Sequence, residues 1–214
     1  MGTLNEGFLG GFSGTLGTAV GSKWKRKNVI RSRPPRKRGK SSESQIANQV
    51  KFRVMNKFLR PITDLLNQTY RKSALGMMSG FNRAFSDNSL RGAVIGEYPA
   101  YAIDYSRILL SKGSLANAGA PSVVSKETGK LVFNWTDNSG INQALSSDGA
   151  FVAVYLEELN HWAYQGNIAM RNAGTCTLEI ASFKGKPVQT YIGFVSADRN
   201  RTSESLYTGL VNVL

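Results

Sequence analysis

The sequence is almost without cysteine and histidine: Cys176 and His161 are each the only residue of their kind among 214. A single thiol cannot close an internal disulfide, so the fold must hold by packing alone, and the redox compartment stays open. One Cys and one His give no zinc-ligand spacing, which excludes a histidine-rich or Cys/His metal site. His161, beside Trp162, is read as a turn or surface histidine and Cys176 as a small core residue. Catalytic signatures are missing too. Gly11-Phe12-Ser13-Gly14 lacks the spacing of a nucleophile elbow, and no G-x-x-x-x-G-K-[ST] phosphate loop occurs. Glu157 and Glu158 are adjacent, so on a strand they would point to opposite faces and could not act as a pair. A non-catalytic chain with no cofactor, no metal and no small-molecule substrate is expected.

Long hydrophobic runs are also lacking. Residues 7–20 are uncharged, but a membrane-spanning helix needs about 20 apolar residues. A signal peptide puts positive charge before its apolar stretch, whereas here the first 22 residues have none and the basic run follows, so no signal peptide is expected. Gly2 stands where a myristoylated glycine would, but Glu6 occupies the Ser/Thr position of that motif.

What is present is charge of one sign, and it is segregated. The net charge is +13. Residues 1–72 hold 16 Lys and Arg against Glu6, Glu43 and Asp64, while residues 73–214 hold 11 basic and 11 acidic residues. All of the excess therefore lies in the first third, the pattern of a polyanion-binding element joined to a neutral module. With 41% hydrophobic residues the chain can build a core.

Three regions follow: a Gly-rich and basic arm over residues 1–40, a helical region over 41–97 and a β domain over 98–214. In the arm, Gly7, Gly10, Gly14, Gly17 and Gly21 recur three or four residues apart. Each would cost about 1 kcal/mol in a helix, so the segment either forms a flexible tail or lies extended where another backbone approaches closely. The interleaved Phe8, Leu9, Phe12, Leu16, Val20 and Trp24 favour docking. Residues 23–40 carry ten Lys or Arg and no acid, and Pro34 and Pro35 bar a helix, giving an extended basic arm. Ser42 and Gln45 have the spacing of a capping box. Ile46, Val50, Val54, Phe58, Ile62, Leu65 and Leu66 then recur at helical spacing, with Arg53, Lys57 and Arg60 on the opposite side and Pro61 dividing the helix. Weaker helical signals run over 74–85 and 89–94. Beyond residue 98, short β-branched and aromatic runs at 102–110, 130–137, 151–156, 175–180, 188–195 and 205–213 alternate with turn residues, as in an antiparallel sandwich or barrel. The run at 188–195 is apolar on both faces and is expected to be central.

LVFNWTDNSG, AFVAVYLEE, CTLEI and TYIGFVSADRNRTSES, in that order, resemble the strands of a fibronectin type III or similar immunoglobulin-like domain over residues 121–214. The resemblance makes Trp135 the core tryptophan of an early strand and Tyr191 a packing tyrosine of the penultimate one. Nearly the whole chain is similar to an uncharacterised family of small Bacteroidota proteins with a GxxGGFSGxxGTxVGSxWK opening, a following RSxP and a later YPAYAIDYSRILLSKGSL segment. These are GFLGGFSGTLGTAVGSKWK, Arg31-Ser32-Arg33-Pro34 and residues 98–115 here. That family has no established activity. Arg26 stands where glycine commonly follows its Trp-Lys pair, so this arm is the more basic.

The expected fold class is α+β: an extended basic N-terminal arm, a short helical region and an antiparallel immunoglobulin-like β-sandwich. The expected function is that of a structural protein of a nucleoprotein or virion-like assembly, cytoplasmic or within the particle. Its arm would bind RNA or DNA without sequence specificity through Lys23, Trp24, Lys25, Arg26, Lys27, Arg31, Arg33, Arg36, Lys37, Arg38 and Lys40, joined by Arg53, Lys57 and Arg60. Engaging about six to ten of these charges gives a log-log salt slope of roughly −5 to −9. Trp24 either stacks on a base or packs against Phe12 or the domain, and the cationic helix face is either part of the site or merely solvated. Protein partners or self-assembly are expected as well. The alternative is a membrane-surface or cell-envelope module, with the Gly-patterned tip in lipid and the basic run on anionic headgroups.

Overall fold

The computed structural model describes residues 2–4, 12–24, 27–35, 41–74 and 78–214. They fall into two compact units, Met1–Ser42 and Glu43–Leu214. The expected boundary at residue 97 has no counterpart, because the helices pack on the sandwich within the second unit.

In the first unit β1 (Gly2–Leu4), β2 (Gly14–Leu16), β3 (Ala19–Trp24) and β4 (Lys27–Ser32) form an antiparallel sheet in the order β1-β4-β3-β2. Gly17, at φ +59°, makes the turn from β2 to β3. Gly21 admits a close approach: a Cβ there would lie 2.5 Å from the Phe12 carbonyl oxygen and 2.6 Å from its ring. The basic stretch is thus extended, as its sequence implies, but from Lys27 to Ser32 it is paired rather than free. Val29 is buried within it, and Pro34 and Pro35 fall beyond the strand's end, where they cost no ladder bond.

The second unit opens with α1 (Glu43–Leu59), a 3-10 turn (Arg60–Ile62) and α2 (Thr63–Thr69). Pro61 sits in the tight turn, where its missing N–H is tolerated. The weaker helical signals resolve differently from expectation: one helix, α3 (Gly80–Leu90), is capped by Ser79, whose hydroxyl accepts from the Asn82 amide, and Val94 already begins a strand. That strand is β5 (Val94–Glu97), which pairs with β6 (Ala100–Ile103). The expected run to residue 110 stops at Ile103, because the backbone beyond is satisfied by side chains. Asn88 bonds both the N–H and the C=O of Leu109, while Ser205 and Thr69 bond the N–H and C=O of Leu110.

The sandwich comprises β7 (Gly119–Val124), β8 (Lys130–Thr136), β9 (Gly149–Leu156), β10 (His161–Met170), β11 (Thr175–Glu179), β12 (Pro187–Val195) and β13 (Leu206–Asn212). A four-stranded sheet β10-β9-β12-β13 faces a three-stranded sheet β11-β8-β7. Between them lie Leu131, Phe133, Trp135, Val152, Val154, Cys176, Leu178, Ile192 and Phe194. The alternate residues Phe151, Ala153, Tyr155 and Tyr191 turn to the other side and pack on Met55, Phe58, Leu59 and Leu66 of the helices. The unit therefore has three layers: helices, four-stranded sheet, three-stranded sheet. This explains why β9 is buried at all eight positions and why β12 is central. Each fully buried Leu, Ile, Val or Phe contributes about 1.5–3 kcal/mol. Trp135 is a core residue, its indole N–H donating to the Arg171 carbonyl at 2.6 Å. Tyr191 is buried too, but against the helical layer, where its hydroxyl donates to the Tyr105 carbonyl at 2.9 Å. Among the described residues no helix is long and apolar enough to cross a membrane.

Candidate nucleic-acid interface

Cross-strand register decides which basic side chains of the first unit stand together. Val20 faces Arg31, Ser22 faces Val29 and Trp24 faces Lys27, with the alternate pairs between them. Directly opposed side chains share a face and successive ones alternate, so Trp24, Lys27 and Arg31 project from one face of the β3–β4 hairpin, and Lys23 with Asn28 from the other. Trp24 is 57% exposed, and the Phe12 ring lies against Gly21. Lys23, Lys27, Arg31 and Arg33 are exposed. Lys25, Arg26, Arg36, Lys37, Arg38 and Lys40 lie outside the described residues. The unit holds ten Lys and Arg and one acid, Glu6.

In the second unit Arg53, Lys57 and Arg60 are exposed and line, with Asn56, Pro61 and Asn160, a hollow of about 440 Å³. Among the described residues none of the three cations meets a carboxylate, since the ion pairs engage other residues. The helix periodicity selects cations only on the piece before Pro61, although the spacing continues through Leu66. Arg71 and Arg199, which line a second hollow, fall outside that selection; Arg199 comes from a loop, where no periodicity exists to find it.

His161, exposed at the start of β10, sits 5.8 Å edge-on from the Phe183 ring. Burial pushes the Cys176 thiol up to about 12. Glu158 pairs with Lys186 at 2.6 Å. Among the described residues no three His, Cys, Asp or Glu gather as metal ligands.

Residues 11–209 match a family described as a family of unknown function, DUF6266. The chain belongs to this family. No curated protein matches this DUF6266 chain. Among solved structures it is similar to the fn3 domain of the human collagen alpha-1(XX) chain at 11% identity and a TM-score of 0.36, covering 49% of this chain and 91% of that one. It is also similar to the FN1-FN3 domains of chicken CNTN1 at 13% identity and a TM-score of 0.37, covering 48% of this chain and 36% of that one.

Proposed function

We propose that this DUF6266 protein is a non-catalytic structural component of a nucleoprotein or virion-like assembly. Its basic N-terminal unit binds nucleic acid without sequence specificity, and its helix-covered sandwich contacts protein. The observation that carries this reading is the common face of Trp24, Lys27 and Arg31 on the β3–β4 hairpin. It offers an aromatic ring beside cations in a unit with a tenfold excess of basic over acidic residues, which is the combination that grips a phosphate backbone and stacks on an unpaired base. Nothing in such a face reads base edges, so binding follows charge and strand state rather than sequence.

The test is an electrophoretic mobility shift of the full chain on single-stranded and duplex oligonucleotides, repeated across a salt series. Binding at about 50 mM salt is expected, with a log-log slope of roughly −5 to −9 if six to ten charges engage. Lys27→Ala with Arg31→Ala lowers the slope by roughly 1.4 on single strands. Trp24→Ala costs about 1–3 kcal/mol on single strands and little on duplex. Absence of any shift at low salt removes the proposal.

A further inference from the structure

The exposed edge of the four-stranded sheet is β10, and three hollows follow one another along it. The first, between α1 and the Asn160 turn, holds Arg53, Lys57 and Arg60. The second, of about 400 Å³, is lined by Gln68 from α2 and Arg71 from the turn after it, Tyr164 and Asn167 from β10, and Arg199 from the β12–β13 loop. The third, of about 490 Å³, shares Asn167, Val195 and Arg199 with the second. Trp162 fixes the edge strand to the helices between the first two, its indole N–H donating to the Phe58 carbonyl at 2.9 Å.

Three features set this edge apart. Five cations line the hollows and no carboxylate does, although residues 43–214 contain 13 acids. Asp198, the neighbour of Arg199, is committed to the Ser196 hydroxyl and to the backbone and side chain of Asn200. The Tyr164 ring is 38% exposed and, among the described residues, stacks on no other ring. Finally, the β10 ladder breaks between Gln165 and Ala169, and Asn167 (φ +51°) and Arg199 (φ +55°) line the hollow from left-handed backbone. A bulge of this kind re-aims side chains away from the ladder.

We infer that the β10 edge is a second nucleic-acid contact, a single-strand track in which Arg71 and Arg199 hold phosphates and Tyr164 is the stacking platform for a base. The inference rests on the polyanion reading above but uses none of the residues of the N-terminal unit. The alternation of cations with one accessible ring is the arrangement that favours single strands over duplex.

The test measures fluorescence anisotropy of the full chain with an oligothymidylate of roughly 12 nucleotides and with a duplex of equal length. Arg71→Ala with Arg199→Ala lowers the single-strand salt slope by roughly 1.4, two phosphates at about 0.7 each. Tyr164→Ala weakens single-strand binding by roughly five- to a hundredfold and leaves duplex unchanged, whereas Tyr164→Phe retains binding. If these variants behave as wild type while Lys27→Ala with Arg31→Ala weakens binding, the track is refuted and the N-terminal reading survives. If the track variants lose binding and the N-terminal variants do not, the track stands and the hairpin face falls. Equal losses on the oligonucleotide and on phosphatidylcholine–phosphatidylserine vesicles, indifferent to Tyr164, make the edge a general anion surface and overturn the assignment.

Discussion

Removing the Arg171 guanidinium while leaving its carboxylate partner in place is expected to destabilise the second unit severely. Arg171 and Asp148 are both fully buried, with Nε 3.3 Å from Oδ2. One terminal nitrogen donates to Asn138 Oδ1 at 2.6 Å and the other to the Ala116 carbonyl at 3.0 Å. The guanidinium lies 3.8 Å over the Phe194 ring. In Arg171→Met the carboxylate keeps only the Leu145 N–H, which donates to Oδ2 at 2.8 Å. An uncompensated buried charge costs about 3–5 kcal/mol, and at about 2–4 °C per kcal/mol for a chain of this size Tm falls by roughly 6–20 °C. Asp148→Asn is milder, about 1–3 kcal/mol, because the cation retains two neutral acceptors and the ring while the amide oxygen still accepts from Leu145. The double variant loses less than the sum of the singles, by about 0.5–3 kcal/mol, since the second substitution relieves the charge stranded by the first. Urea unfolding followed by tryptophan fluorescence and far-UV circular dichroism supplies all four corners of the cycle. A cost below about 1 kcal/mol for Arg171→Met, or additivity within about 0.5 kcal/mol, would show that the pair is not the clamp described.

Asn88→Leu leaves the buried N–H and C=O of Leu109 without their partners and is expected to cost about 2–5 kcal/mol in the same urea assay; a neutral result means that water replaces the amide. Cys176, its thiol held up to about 12 by burial, is neutral at pH 8 and is expected to react with a disulfide reagent only after unfolding, so rapid native labelling at that pH contradicts its placement in the core. The Asp198 carboxylate is held down to about 2 by the Ser196 hydroxyl first and then by the backbone and side chain of Asn200. Its folded value is depressed, so the contribution is complete above the unfolded value near 3.9 and is lost as pH falls through about 2. Carboxyl NMR titration is expected to place its midpoint near 2 and to move it upward in Ser196→Ala; an ordinary midpoint in both dissolves the loop contact.

Legibility in the sequence followed the strength of local periodicity. The strands at 130–136, 149–156, 175–179, 187–195 and 206–212 were readable because β-branched and aromatic residues recur between turn residues. The helix from Glu43 was readable from its spacing and its cap. Within the sandwich, two strands left no such trace. In β7 Pro121 argues against a strand, yet β7 is an edge, where proline is tolerated. In β10 the polar Gln165-Gly166-Asn167 segment is the bulge itself. Side-chain substitutes for a ladder, such as Asn88 on Leu109, are tertiary facts without local signal. Charge composition concealed the pairing of residues 27–32, where the run of Lys and Arg outweighed the alternation around Val29. For the candidate site, the hairpin cations were legible as a run, but their division between two faces needed the register, and Arg71 and Arg199 needed the fold.

The three-layer packing constrains where this unit can bind anything. Both faces of β9 and β12 are occupied, one by the facing sheet and one by the helices, so the sheet face left to solvent is the outer one of β11-β8-β7, where alternate residues of β8 and β11 are exposed or half-buried. Arg53, Lys57, Arg60, Arg71 and Arg199, none of which meets a carboxylate among the described residues, line the hollows where the β10 edge, the β12–β13 loop and the helical layer converge. The family match runs from residue 11 to residue 209 and so crosses the junction between the two units at 42 and 43. The match therefore spans both β2 to β4 of the first sheet and the sandwich.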